Sequence, residues 1–340
     1  MSHRLQATKH ASTTSAIRRD APAAPSWPSY QGTSQFVGAS PSGRVNVFVD
    51  PSLGAPALQN AQDLVNDADR VATANDQVFG TTGGSVNVIV FALNGATDGT
   101  GGADHGGCDY TTGAAIEVCA SFGNSARVSA LFEAELSECS MGGNLCGVST
   151  GEALSRWCAA VIGNNALSDF ATAPTWASDG MPDYVNQTDP TDQGADSTGC
   201  GMAFISWLLS QGITLNQIAQ GLVALTASGT FAQLYSNLTS QPAGNAWPTF
   251  LAAVQALQNG VTSDDPFGGA AQPSQLAHLA PWSVELAGKV FAAILADVAA
   301  GKPAHQVVAS VRAALVASPA SRLHAAASHR LVPPAKSILD

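Results

Sequence analysis

One segment of the sequence places several carboxylates on a predicted helix, and it is where the chain could most readily do chemistry. Between Val128 and Cys139 the apolar residues recur at the intervals of three and four residues that define one face of a helix. Glu135 falls on that apolar face and Glu138 lies at its margin, whereas Glu133 points away and is expected to be solvated. A carboxylate on an apolar face is costly unless it is paired, protonated or bound to a metal.

Two interpretations of Glu135 follow from this cost. In the first, Glu135 faces a cleft with a raised pKa and takes part in acid–base chemistry. In the second, it lies at the rim of the core and is satisfied by a hydrogen-bond partner. The pattern favours the first interpretation and leaves the second open.

The elements that must position this helix can be predicted from hydrophobic periodicity. They are, in order, a strand at 45–49, a helix at 55–78, an apolar strand at 85–93, a glycine-rich loop at 94–114 and a short edge strand at 115–119. Further helices are expected at 149–162, 201–211, 215–227 and 230–257. His105 lies in the predicted loop, and loops of this length usually carry function or are tied down.

This order of elements, over about residues 44–255, resembles that of the zincin metallopeptidases of the gluzincin type. In that family the central helix carries H-E-x-x-H, in which both histidines bind zinc and the glutamate is the general base. The matching segment is Ala134-Glu-Leu-Ser-Glu138. The resemblance makes Glu135 the catalytic base and puts Ala134 and Glu138 where the two histidines would be.

A second segment is similar to the gluzincin W-x-x-E-G sequence, whose glutamate is the third zinc ligand. In this chain it reads Trp176-Ala-Ser-Asp179-Gly180, so the resemblance assigns the third ligand to Asp179. We expect Glu135, Glu138 and Asp179 to converge in one cleft. The resemblance also implies an α+β domain with a small mixed sheet and a mostly helical lower half.

The departures from the motif decide which function is expected. Both histidines are absent, and zinc at a catalytic site needs three protein ligands, mostly nitrogen or sulfur. We therefore expect a degenerate metallopeptidase-like protein, catalytically inactive, that binds a peptide or protein in the former cleft. The alternative is an active metal-dependent hydrolase with Glu135 as general base and with Glu138, Asp179 and His105 as ligands of zinc or calcium. A scaffold module is a third class that fits the tails but implies no chemistry.

Two other motifs carry weaker signals. Gly147-Val-Ser149-Thr-Gly151 matches the G-x-S-x-G elbow of serine hydrolases, but the strand that must precede an elbow is not predicted. The three acids of the segment 189–196 could hold calcium, but their spacing is not that of an EF-hand and therefore favours a solvated loop.

The cysteines indicate in which cellular compartment the protein is expected to be found. We expect a bridge between Cys108 and Cys119 and another between two of Cys139, Cys146 and Cys158. Six cysteines favour an extracytoplasmic or secreted protein. No secretory signal peptide is recognisable, because the basic N-terminus lacks an apolar region.

Composition and charge limit the kinds of partner that the protein can bind, and they indicate where its domains begin and end. The net charge is −11 and most basic residues lie near the two ends, so the middle of the chain would repel a phosphate backbone and nucleic-acid binding is not expected. No apolar run is long enough for a membrane span. We expect a flexible tail at 1–42, the zincin-like domain at 43–258, a linker at 259–278 and a pair of helices within 279–340.

Overall fold

The computed structural model describes residues 22–93, 97, 101–106 and 114–271 of the 340-residue chain. The chain divides into two units, Met1–Leu279 and Ala280–Asp340, and every described residue belongs to the first. The helical pair predicted within 279–340 therefore lies outside the described residues. None of the described helices is both long and apolar enough to cross a membrane.

The described part of the chain forms a small sheet and a set of helices. The strands are β1 (Gln35–Ala39), β2 (Val45–Val49), β3 (Val86–Phe91), β4 (Ala103–Gly106) and β5 (Ala114–Cys119). The helices are α1 (Gly54–Phe79), α2 (Ser125–Ser140), α3 (Ser149–Ile162), α4 (Ala173–Ser178), α5 (Ala195–Ser210), α6 (Leu215–Leu225), α7 (Phe231–Thr239) and α8 (Ala246–Gln255). The domain is therefore a mixture of helix and strand, consistent with the expected α+β class.

The sheet is mixed, with strand order β1-β2-β3-β5-β4. The central strands β2, β3 and β5 are parallel, and each outer strand is antiparallel to its neighbour. β2 and β3 are nearly continuous in buried valine, isoleucine and phenylalanine, as expected of strands covered on both faces. α1 connects β2 to β3 and packs against the sheet, and α2 packs beside it against β5.

Both outer strands differ from the sequence-based expectation. The segment 94–114, predicted to be a loop, contains β4, and β4 rather than β5 is the strand at the edge. β1 lies within the predicted tail at 1–42. These strands are short, and β4 reads Ala-Asp-His-Gly, which has no apolar alternation, so pairing with a neighbour rather than local sequence determines them.

The residues before β1 are also packed against the sheet. The carboxylate of Glu117, a buried residue of β5, accepts hydrogen bonds from Ser29 N at 3.0 Å, Ser29 Oγ at 2.6 Å and Tyr30 N at 2.8 Å. Trp27 packs edge-on against Phe48 with ring centroids 5.4 Å apart. A flexible tail extending to residue 42 is therefore wrong for residues 27–39, while residues 1–21 lie outside the described part.

The helical half of the domain is built around aromatic side chains. Phe204 of α5 contacts Trp207 of the same helix, Phe231 of α7 and Phe250 of α8, and Trp207 also contacts Phe250, all with ring-centroid distances of 5.1–5.8 Å. The helix predicted over 230–257 is two helices, because Ser240 takes a left-handed conformation and Pro242 follows it.

The predicted linker at 259–278 is attached to the domain over its described part. Asp264 Oδ1 accepts hydrogen bonds from the backbone N–H groups of Thr172 at 2.9 Å and Ala173 at 2.7 Å, where α4 begins. Asp265 accepts from Ser206 Oγ at 2.6 Å. A free linker is therefore wrong for these residues, because Asp264 satisfies donors that the start of α4 leaves without intrahelical partners and Asp265 binds a side chain of α5.

Removal of the Asp264 carboxylate should destabilise the domain. We expect Asp264→Ala to lower the free energy of unfolding by about 1 kcal/mol, the usual cost of losing a side-chain cap at a helix N-terminus. Urea unfolding followed by circular dichroism measures the change. Thr262→Ala, at an exposed position two residues earlier, is the matched control and should have little effect. Equal stability of the two variants would contradict the capping role.

Candidate functional site

Helix α2 is enclosed on nearly every side. It contacts α1, α3, β5 and β4, and it is capped at its start by the side chain of Asn124, which accepts from Arg127 N at 3.0 Å. Most of its residues are buried, including the carboxylates of Glu133 and Glu138, and Glu135 keeps only 13% of its side chain exposed. The helix therefore holds three carboxylates where water cannot fully solvate them.

His105 reaches α2 from the edge strand. β4 pairs with β5 so that His105 lies opposite Ile116, and its imidazole meets the carboxylates of the helix. Nε2 lies 3.2 Å from Glu138 Oε2 and 4.0 Å from Glu135 Oε2. The other ring nitrogen, Nδ1, lies 3.6 Å from the Sγ of Cys139. We call His105, Glu135 and Glu138 the His–Glu cluster.

Helix α3 completes the surroundings of Glu138. Ser155 Oγ donates to Glu138 Oε1 at 3.1 Å, so both oxygens of this carboxylate are engaged. Glu152, one turn earlier on α3, hydrogen-bonds to Glu138 as well and pairs with Arg156. The cluster is thus positioned by three elements: an edge strand, a central helix and the helix that follows it.

The protonation states follow from burial and from these contacts. Burial alone would lower the pKa of His105, but hydrogen bonds to Cys139 and Glu138 and the nearby charges raise it to about 11. Burial alone would raise the pKa of Glu138, but the hydrogen bonds from His105 and Glu152 lower it. His105 and Glu138 therefore form an imidazolium–carboxylate pair at neutral pH.

The other two carboxylates behave oppositely. Burial and the charge of Glu138 raise the pKa of Glu135 well above its ordinary value, although His105 opposes the shift. Burial also raises the pKa of Glu152 to about 7, against the opposing charge of Arg156. Glu135 is therefore an uncharged acid next to a charged pair, an arrangement suited to donating a proton or a hydrogen bond.

A sulfur atom lies beside the cluster. Cys146, in the loop between α2 and α3, has its Sγ 3.9 Å from His105 Nε2. The ligand atoms of His105, Glu138 and Cys146 all lie within 4.8 Å of one another, and in the described part of the chain this is the one group of its kind. Cys146 is disulfide-bonded.

The predicted bridges can be compared with this arrangement. The sequence predicts one bridge between two of Cys139, Cys146 and Cys158. Cys139 and Cys158 both carry thiols, so this prediction is wrong. The partner of Cys146 is none of the other described cysteines. The predicted Cys108–Cys119 bridge is also wrong, because Cys119 carries a thiol; Cys108 itself lies outside the described residues.

Asp179 is not part of the group. It follows the last residue of α4 and is exposed, with Ser178 Oγ donating to it at 3.3 Å and Asp196 as a charged neighbour. Of the four residues predicted for the site, the structure brings together His105, Glu135 and Glu138 and leaves Asp179 outside the group. Cys139 ends the apolar face on which the sequence places Glu135, whereas Cys146, Glu152 and Ser155 were not predicted as neighbours and no local pattern of the sequence marks these three.

The two weaker motifs lie next to each other. Ser149, the centre of the G-x-S-x-G match, begins α3, is buried, and accepts a hydrogen bond from Asp189 N at 3.0 Å. Asp189 in turn accepts from Ser197 Oγ at 3.1 Å. The motif therefore closes a loop onto a helix start and does not have the strand-to-helix context of a hydrolase elbow.

The environment of Glu133 differs most from the sequence-based prediction, which was a solvated side chain. Glu133 is fully buried rather than solvated, and within the described residues neither carboxyl oxygen has a hydrogen-bond partner. Arg70, the cation whose charge acts on Glu133, already binds Asp67 and the carbonyl of Ile162. Burial raises the pKa of Glu133 well above its ordinary value, so it is uncharged at neutral pH.

Comparison with known proteins adds no assignment to this geometry. No family model, no curated protein and no solved structure matches the chain. The functional argument therefore depends on the residues of the cluster and their surroundings.

Replacement of Glu133 by its uncharged isostere should change how stability depends on pH. Because the native state keeps a proton on Glu133 that the unfolded state releases above about pH 4.3, the parent should lose stability as pH rises, by up to about 1.4 kcal/mol per pH unit. Glu133→Gln should lose less between pH 5 and 8, measured as urea unfolding free energies.

A second variant separates charge from packing. Glu133→Ala also removes the ionisable group but leaves a cavity, so it should lack the same pH dependence and be less stable at every pH. Parallel pH curves for the parent and Glu133→Gln would show that the native state does not hold a proton there.

Proposed function

We propose that this chain is a zincin-like domain that has lost metallopeptidase catalysis and binds an extended peptide beside its edge strand. The order of elements and the placement of α2 support the likeness, since a mixed sheet with an antiparallel edge strand precedes a buried central helix. Ala134 stands where the first zinc ligand of the motif would be, and its methyl group has no donor atom. Asp179, the third expected ligand, lies outside the cluster.

The observation that carries the proposal is the pairing of His105 with Glu138 at 3.2 Å. In the H-E-x-x-H motif the position of Glu138 is a neutral histidine that binds zinc, whereas this chain has a buried carboxylate there that needs a cation. In this chain the imidazolium of His105 supplies the positive charge, and the hydroxyl of Ser155 satisfies the second oxygen of Glu138. The cluster is therefore electrically balanced by the chain's own residues.

The edge strand provides the place for a peptide. Cys119 N donates to Gly102 O, so the antiparallel alternation directs the backbone groups of Ala103 and His105 away from β5. β4 is the terminal strand of the described sheet. A peptide added as a further strand would use the backbone groups of Ala103 and would run past the side chain of His105, whose own N–H donates to Asp104 Oδ1 at 2.8 Å.

Peptide addition can be tested at single backbone groups. Ala103→Pro removes the outward N–H without removing a β4–β5 hydrogen bond, and Ala103→Val keeps that N–H and is the matched control. With a degenerate library of ten-residue peptides, we expect the parent and Ala103→Val to retain peptides and to show slowed amide exchange at residues 103–106. Ala103→Pro should retain at least tenfold less.

The same incubation tests the loss of catalysis. We expect mass spectrometry to find the peptides intact, with or without added zinc. New peptide ends that form with the parent and disappear with Glu135→Gln would contradict inactivity. Peptide retention that is equal for Ala103→Pro and Ala103→Val would contradict binding at the edge strand.

A metal-dependent hydrolase is the second candidate, favoured by the imidazole and carboxylate that lie together at the cluster. An imidazole nitrogen and a carboxylate oxygen suit zinc better than calcium, which prefers oxygen ligands alone. Zinc would supply Lewis-acid activation of a water or a carbonyl. The chain would have to use Glu135 as its third ligand, and Glu135 would then not be available as general base. This double demand makes the hydrolase the weaker proposal.

A further inference from the structure

We propose that reduction of the Cys146 disulfide creates a zinc site formed by His105, Glu138 and Cys146, with Glu135 in the fourth position. This goes beyond peptide binding, because it assigns the cluster a metal and a condition for acquiring it. The ligand set takes one residue each from a strand and a loop and two from a helix. Four protein ligands make a closed site of the structural or regulatory kind.

The distances between the donor atoms match a tetrahedral zinc. Ordinary zinc–ligand bond lengths place a nitrogen and an oxygen about 3.3 Å apart and a nitrogen and a sulfur about 3.6 Å apart. In this structure Nε2 of His105 lies 3.2 Å from Glu138 Oε2, 3.9 Å from Cys146 Sγ and 4.0 Å from Glu135 Oε2. Small side-chain movements would therefore bring all four atoms to one ion.

The second nitrogen of His105 is placed to support metal binding. Nδ1 lies 3.6 Å from Cys139 Sγ, on the far side of the ring from Glu138 and Cys146. A contact at Nδ1 orients the imidazole and leaves Nε2 directed at the ligand group, which is the usual arrangement around metal-binding histidines. Cys139 is accordingly a positioning residue and not a ligand.

The disulfide determines whether sulfur can bind. A thiolate is a strong zinc ligand because it is negatively charged, whereas a disulfide sulfur is uncharged and is a poor ligand for zinc. With Cys146 oxidised, the cluster offers a metal only one nitrogen and two carboxylates. Cys146 is partly exposed in a glycine-rich loop, so a reductant can reach it.

The chemistry balances with a dithiol as the reductant. The dithiol gives two electrons and two protons to the disulfide, which becomes two thiols, and is itself converted to a cyclic disulfide. Zinc then replaces the protons on Cys146 Sγ, on His105 Nε2 and on the carboxyl group of Glu135, and these protons pass to the solvent. Glu138 binds as the carboxylate it already is.

The experiment compares zinc binding by the full chain in its two redox states. Protein stripped of metal is titrated with zinc by calorimetry, first oxidised and then after reduction with a phosphine. We expect one zinc per chain after reduction, with at least 100-fold higher affinity than in the oxidised state. His105→Gln and Cys146→Ser should abolish this gain, and Cys200→Ser, which removes a buried free thiol, is the matched control that should keep it.

A spectroscopic measurement on the parent chain tests the same site without depending on whether the variants fold. Cobalt bound to the reduced protein should show a sulfur-to-cobalt charge-transfer band and tetrahedral ligand-field bands. Equal zinc affinity in both redox states, no zinc binding in either state, or cobalt spectra without a sulfur band would each overturn the proposal. Peptide retention by the oxidised protein is measured separately, so the two proposals can fail independently.

Discussion

The burial of α2 on nearly all sides is the constraint from which the rest of the site follows. A helix that contacts α1, α3 and two strands has almost no face on which to solvate a carboxylate, yet it carries Glu133, Glu135 and Glu138. Each carboxylate must therefore be neutralised by a proton or by a cation. Glu133 and Glu135 hold protons, and Glu138 holds the imidazolium of His105. Two of the three buried carboxylates are thus neutralised by a proton, and the third is neutralised by an ion pair.

This constraint also explains why the sheet needs β4. The pairing of β4 with β5 is the means by which an imidazole arrives beside Glu138, and Asp104 Oδ1 accepts from His105 N at 2.8 Å, which fixes the backbone there. A loop could carry the same histidine, but a strand with a defined register places it with less conformational freedom. The edge strand therefore links the fold to the chemistry of the cluster.

Sequence reasoning predicted the core elements but not the surroundings of the carboxylates. The apolar periodicity of α1, β2 and β3 is strong, and their bounds agree with prediction to within about two residues. The error at Glu133 arose because a helical wheel assumes one buried face, whereas α2 is buried on both. The edge strands were missed because their sequences have no alternation. Cys146 and Ser155 come from later segments, and only the packing of α3 against α2 brings them near Glu138.

Both proposals depend on which cation balances the negative charge of Glu138. A protonated imidazole and a zinc ion are alternatives at this position, because a nitrogen that keeps its proton cannot bind the metal. Two carboxylates and one neutral imidazole compete poorly with that proton, whereas an added thiolate brings both charge and a soft donor. In the two proposals, the state of one sulfur atom in the α2–α3 loop determines whether the charge of Glu138 is balanced by the chain alone or by a metal.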